Sequence, residues 1–336
     1  MVNLIKNLFE NNIINVTLKR KLDPPSEPTI PAFYGLPKIH KPEPIPLRPI
    51  VSCVGSVTYN LAKFVAGILR PLIGQSPYYV RNTIEFVDKI KNIRLLDSEI
   101  LTSYDVTALF TSIPADSAVD VICQKLTDDP TLPDRTNLSI DQIVKITELC
   151  LTTTYFSYKG SFYKQISGCA MGSPLSPIVA NLYMEAFETS VLEEYGGIKP
   201  KLWLRFVDDT FVILDKRAGE DFFRFINNKD PNIKFTQEAC IDNKIAFLDC
   251  LVSICENGSL KTEVYRKPTH TDHYLRFDSN HPLVHKLGVI RTLFHRGDTI
   301  ISDPNLVPKE RNHIKQSLRK CGYPGWAFRK ASRKRP

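Results

Sequence analysis

The segment Leu202-Trp203-Leu204-Arg205-Phe206-Val207-Asp208-Asp209-Thr210-Phe211-Val212-Ile213-Leu214 sets two adjacent acids between two apolar runs. Runs of this length and composition read as strands. Successive side chains on a strand point to opposite faces, so neighbouring carboxylates reach one site only where the backbone turns. A tight hairpin with Asp208-Asp209 at its tip is therefore expected. Asp-Asp is a mediocre turn pair beside Asn-Gly, and a locally poor choice in a well-patterned element is where function is expected. The bland alternative is a pair of solvated turn acids. A third acid, Asp105, ends the apolar run that starts at Leu101, where burial is costly unless the group is paired or metal-bound. Mg²⁺ prefers oxygen ligands and is usually held by one or two carboxylates plus substrate phosphates. Three acids on neighbouring strands could hold two such ions about 4 Å apart, an arrangement suited to phosphoryl transfer.

The rest of the chain is patterned for a mixed fold. Nine prolines between Asp23 and Pro49 exclude an internal helix or central strand there and predict an extended, partly rigid segment. Ser56 reads as the cap of a helix with Val57, Leu61, Phe64, Val65 and Ile68 on one face, stopped by Pro71. Further helices are expected over 83–92, after Pro114, and after Ser139, whose spacing to Gln142 is that of a capping box. Aromatic-rich runs around Lys159-Gly160 predict a hairpin. Ser176 and Pro177 open a long helix closed by Gly196-Gly197. Asn257-Gly258 predicts another hairpin, and helical pattern returns near 282–296 and 308–320.

Composition narrows the function classes. With 43% apolar and 24% charged residues the chain is that of an ordinary folded protein. No run approaches the roughly 18 to 20 apolar residues of a membrane span, and residues 1–20 lack a signal-peptide layout; the chain reads as intracellular, with no membrane partner. The eight cysteines form no C-x-x-C pair, so neither a zinc site nor a disulfide framework is expected. The net charge of +8 is concentrated: residues 309–336 carry ten Lys or Arg against Glu310 alone. Interleaved with His313, Tyr323, Trp326 and Phe328, they suit phosphate neutralisation and base stacking, a solvated or disordered end being the alternative.

Tyr104-Asp105 through Phe110 resembles polymerase motif A, and Phe206-Val207-Asp208-Asp209 resembles the aromatic-x-Asp-Asp of reverse-transcriptase motif C. Gly168-Cys169-Ala170-Met171-Gly172-Ser173-Pro174-Leu175-Ser176-Pro177 resembles the motif B between them. Phe33-Tyr34-Gly35-Leu36-Pro37-Lys38-Ile39-His40-Lys41 and Val264-Tyr265-Arg266-Lys267-Pro268-Thr269-His270 are similar to segments of Penelope-like retroelement reverse transcriptases, relatives of telomerase. The likeness covers roughly residues 31–330. Met171 replaces the Gln of many reverse transcriptases but fits the Penelope-like pattern.

This resemblance implies an α+β right-hand polymerase: a 1–30 N-terminal segment, fingers and palm over 31–255 with an antiparallel palm sheet, and a helical thumb-like region over 256–336, with helix-turn-helix character and the basic tail. It implies Mg²⁺, with Mn²⁺ as substitute, on Asp105, Asp208, Asp209 and the Val106 carbonyl. Lys38, Lys41 and Arg48 would bind the incoming triphosphate, with Gly168, Gly172 and Ser173 letting backbone approach nucleotide and template. Phe110 would exclude ribonucleotides, Lys234 would be the general acid with Lys229 as second candidate, and Phe247 and Leu248 would grip the primer. Each has a plainer reading: loop charges, an ordinary turn, a core aromatic, a solvated lysine, a core strand. The implied partners are an RNA template, a DNA primer and dNTP in a nuclear setting. No GIY-YIG endonuclease motif appears before Pro336, so no DNA cleavage is expected. The rival function is an inactive retroelement-derived protein that binds nucleic acid without polymerising.

Overall fold

The computed structural model describes residues 1–39 and 43–332. The first elements are α1 (Val2–Glu10), α2 (Val16–Leu22), β1 (Ala32–Pro37), β2 (Leu47–Ser52), α3 (Tyr59–Leu69), α4 (Thr83–Ile90), β3 (Glu99–Val106) and α5 (Leu109–Ser112). Then come α6 (Ala115–Thr127), α7 (Ile140–Thr152), β4 (Tyr155–Tyr158), β5 (Ser161–Lys164), α8 (Ser176–Glu194), β6 (Leu202–Phe206), β7 (Asp209–Asp215) and α9 (Gly219–Lys229). The last are β8 (Phe235–Ala239), β9 (Lys244–Phe247), β10 (Cys250–Ile254), β11 (Leu260–Val264), α10 (Leu283–Ile300), α11 (Val307–Lys320) and α12 (Gly325–Ser332). Two units form: Met1–Tyr79, Tyr104–Thr210 and Arg217–Gln237 make the first, and Val80–Ser103, Phe211–Lys216 and Glu238–Pro336 the second.

In the first unit, local signals act as read at α7, where Ser139 and Gln142 close the capping box in both directions. They act differently elsewhere. Ser56 caps nothing, because α3 begins at Tyr59, and the Ser176 hydroxyl donates to the Ala170 carbonyl at 2.7 Å instead of capping α8. Residues 1–30 contain two helices, with Ile5 and Leu8 of α1 and Leu22 of α2 buried. The proline-rich stretch holds two strands in a sheet of order β2-β1-β4-β5. β2 lies at the edge, where Pro49 is tolerated, and β1 is internal with Pro37 only as its last residue; proline is excluded from ladders, not from strand ends and edges. Helix α8 is buried on every side, taking Asn181, Glu185 and Glu188 in with Ile178, Leu182 and Val191. Tyr104, Trp203, Phe223 and Phe235 pack as an aromatic layer in the same unit.

In the second unit β9, β10 and β11 form an antiparallel meander, with Asn257-Gly258 between the last two. Phe86, Phe211 and Phe247 pack ring against ring. Leu287, Ile290, Phe294, Ile314, Leu318 and Phe328 make the core of α10, α11 and α12. The basic end is thus no loose tail through Ser332: Ile314, Leu318, Tyr323 and Phe328 are buried, while Trp326 and Lys315, Arg319, Lys320, Arg329 and Lys330 stay exposed. No helix among the described residues is long and apolar enough to cross a membrane.

Candidate active site

Asp105 and Asp208 line one pocket of about 610 Å³ in the first unit, with Val106, Lys38, Arg48, Phe110 and Gly172. Such a volume suits a nucleotide-sized ligand. Backbone pairing brings the two acids together: the Val106 N–H donates to the Asp208 carbonyl at 2.9 Å and the Thr107 N–H to the Lys234 carbonyl at 2.8 Å. The Thr236 hydroxyl donates to the Asp105 carbonyl at 3.4 Å. Burial pushes the Tyr104 phenol well above its ordinary range, so the side chain beside Asp105 stays neutral.

The turn that carries the acids is Val207-Asp208, not Asp208-Asp209: Asp209 is already the first residue of β7 and is not among the pocket-lining residues. Val207 has φ +59°, a left-handed conformation that costs a β-branched residue about 1–3 kcal/mol and persists only where the surroundings impose it. The buried Arg205 helps impose it. Its Nη1 donates to the Val207 carbonyl at 3.0 Å and to Asn181 Oδ1 at 3.1 Å, and its Nε to Glu188 Oε1 at 2.7 Å. Trp203 Nε1 donates to the same Glu188 oxygen at 2.8 Å. Glu185, one helical turn away, has its carboxyl raised chiefly by burial, and its Oε1 accepts from the Gly74 N–H at 2.7 Å. Arg205 and Glu188 are functional candidates absent from the motif reading; their signal was a charge inside each of two apolar runs, costly to bury unless paired.

Among the described residues no three His, Cys, Asp or Glu side chains stand close enough to hold a metal ion by themselves. The donors in the pocket are nonetheless hard oxygens, Asp105 and Asp208 with no His or Cys beside them, which suits Mg²⁺ completed by substrate phosphates.

Lys38 and Arg48 reach the pocket; Lys41 lies outside the described residues. Phe110 is half-buried in the pocket wall, its carbonyl accepting from the Cys169 N–H at 2.5 Å. Gly172 lines the pocket with φ +138°, and a Cβ there would stand 2.1 Å from the Val51 carbonyl oxygen; a Cβ on Gly168 would meet the Thr111 backbone at 2.5 Å. Both glycines therefore let this loop lie against β2 and α5. Gly172→Ala is expected to cost about 1–3 kcal/mol for the backbone conformation alone, and calorimetry should show the unfolding midpoint lower by several degrees. An unchanged midpoint would mean the loop relaxes off β2.

Ser173 is not in the pocket lining; its hydroxyl accepts from the Leu175 N–H. Nor is Lys234, whose ammonium donates to the Asn227 and Asp230 carbonyls at 2.5 and 3.1 Å, closing the end of α9. Lys229 pairs with Glu194. Phe247, in the second unit, is only 1% exposed, which leaves it no face for a primer; Leu248 sits half-buried in the β9–β10 turn with φ +54°.

A family model described as reverse transcriptase (RNA-dependent DNA polymerase) matches residues 39–224, more than half of the chain. The chain belongs to the reverse transcriptase family. The matched stretch contains every acid of the candidate site. A second model, the animal helix-turn-helix domain, matches residues 273–334, the stretch of α10, α11 and α12. No curated protein matches the chain. Among solved structures this reverse transcriptase chain resembles telomerase from Candida albicans in complex with a fragment of telomeric RNA (TM-score 0.58, 10% identity, 95% of this chain and 58% of that one). Apo telomerase from Candida tropicalis is similar at TM-score 0.55 and 14% identity, over 98% of this chain and 64% of that one. The RNA-dependent RNA polymerase of a human picobirnavirus is similar at TM-score 0.57 and 11% identity, over 88% of this chain and 59% of that one. The likeness is one of fold, the mixed α+β fold of polymerase fingers and palm, and this chain spans less than two thirds of each of these proteins.

Proposed function

We propose that this chain is the RNA-directed DNA polymerase of a Penelope-like retroelement, adding dNTP to a DNA primer on an RNA template in the nucleus. The observation that carries the reading is the single pocket in which Asp105 and Asp208 face Lys38, Arg48 and Phe110. Arg48 offers a planar fork and Lys38 a point charge to a triphosphate; Phe110 offers a ring to the sugar. The primer 3′ hydroxyl attacks the α-phosphate and pyrophosphate leaves. Two Mg²⁺ ions, or Mn²⁺ in their place, held by Asp105, Asp208, Asp209 and the Val106 carbonyl, would activate that hydroxyl and neutralise the leaving group. To protonate pyrophosphate, Lys234 has to leave the α9 carbonyls. Residues 31–255 are read as fingers and palm, and 256–336 as a thumb-like holder of the duplex.

Single-stranded template has a suitable surface beside the pocket. In the β2-β1-β4-β5 sheet, the register puts Arg48 and Ile50 on the same face as Tyr34, Tyr155, Phe162 and Lys164; Phe162 is 71% exposed. Exposed rings interleaved with cations stack bases without sequence preference.

Primer extension by purified protein on poly(rA)·oligo(dT) with Mg²⁺ or Mn²⁺ tests the reading. Incorporation of dTTP that chelator abolishes is expected; binding of the primed template without extension would favour the inactive nucleic-acid-binding alternative. Replacing Lys315, Arg319, Lys320, Arg329 and Lys330 together by Gln, which leaves the α11 and α12 core intact, should weaken duplex binding. The slope of log affinity against log salt should then flatten by about 0.9 for each phosphate that is no longer neutralised. An unchanged slope would make the basic end a bystander.

A further inference from the structure

The strained Val207-Asp208 turn is tied down at two successive carbonyls. That of Asp208 is held by the Val106 N–H of β3, and that of Val207 by the Arg205 guanidinium. With both peptide planes fixed, the direction in which the Asp208 Cβ leaves the backbone is set. The guanidinium is itself oriented from three sides: by Glu188 and Asn181 of α8, and through its own backbone, whose N–H donates to the Tyr78 carbonyl at 2.7 Å.

Stability does not account for this arrangement. Arg205 and Glu188 side chains are both 0% exposed, and Arg205 Nη2 and Glu188 Oε2 have no hydrogen-bond partner among the described residues. A buried ion pair left partly unsatisfied is commonly matched or bettered in stability by apolar side chains of similar volume. A costly pair kept beneath a strained turn that carries an acid is placed for geometry.

We propose that Arg205 is a positioning residue: held by Glu188 and Asn181, it fixes the Val207 carbonyl and so aims Asp208 at the divalent-metal site it forms with Asp105. This deepens the polymerase reading and rests on it for the identity of the metal site. The fork matters beyond its charge, since Nε and Nη1 serve different acceptors; a lysine ammonium is a single point charge on a flexible stem.

The double variant Arg205→Met/Glu188→Leu removes the pair without stranding a charge in the core. Full-length wild type, the double variant, Arg205→Lys and Asp208→Asn are compared by unfolding midpoint, by Mn²⁺ affinity in the presence of dTTP (electron paramagnetic resonance of free Mn²⁺), and by Mg²⁺-dependent primer extension. The double variant is expected to unfold within a few degrees of wild type yet to lose about 10- to 100-fold in Mn²⁺ affinity or in kcat, the usual effect of removing a partner behind a metal ligand. The Mg²⁺ concentration for half-maximal extension should rise with it. Arg205→Lys should not restore either property. Wild-type Mn²⁺ affinity and Mg²⁺ dependence in a folded double variant would overturn the proposal, as would full recovery by lysine. Mn²⁺ binding reads the turn even if wild type extends no primer, so a failed polymerase reading is distinguished from a failed positioning role.

Discussion

Asp208→Asn should abolish primer extension by roughly three orders of magnitude, because a metal-held charge contributes several kcal/mol to phosphoryl transfer at about 1.4 kcal/mol per tenfold. The substitution keeps the side-chain volume and leaves the backbone of the turn untouched: the Val106 N–H still finds the Asp208 carbonyl, and Arg205 still holds Val207. Binding to a primed template, carried by phosphate contacts elsewhere, should therefore stay within about twofold of wild type, since phosphate contacts supply most nucleic-acid affinity. Steady-state extension and filter binding on the same preparation measure both. Wild-type extension by Asp208→Asn would remove Asp208 from the site, and a parallel loss of binding would mean that the acid supports the fold.

Phe110→Val should raise rNTP use relative to dNTP. Phe110 lies five residues after Asp105, at the start of α5, in the wall of the pocket that holds both acids. Ala108, the residue before α5, adopts φ +52° and lines the same pocket. A ring there would collide with a 2′ hydroxyl. Excluding one small group by shape is typically worth about 1–3 kcal/mol, or roughly ten- to two-hundredfold in selectivity, and the ratio of kcat/KM for dTTP and UTP on one primed template should shift by that order. If both activities fall together at a constant ratio, Phe110 is a packing residue and gates nothing.

Much of the candidate site was legible as pattern. The capping box at Ser139 and the Asn257-Gly258 hairpin are local statements, each decided by a few neighbouring residues, and the structure contains them. Residue identity did not decide which atoms each side chain meets. Ser176 has the identity of a helix cap, but its hydroxyl goes to Ala170. The glycines of the motif B loop suggested close approach to a ligand, whereas the nearest obstacles are the backbones of Val51 and Thr111. Lys234 has the place of a general acid, yet its ammonium closes α9. Phe247 has the place of a primer contact but completes an aromatic core with Phe86 and Phe211.

By itself the sequence marked the α7 capping box, the apolar strands on either side of Asp208 and the run that ends at Asp105, because alternation, turn chemistry and the cost of burying a lone carboxylate are all written within short windows. Only the tertiary structure decided that the turn falls at Val207-Asp208, leaving Asp209 in β7, and that a buried guanidinium from Arg205 braces it against Glu188 of α8. Turn register depends on how β3 docks against the hairpin, and a buried charge finds its counter-charge through space. Neither the docking nor the distance between Arg205 and Glu188 is a property of any local stretch of chain.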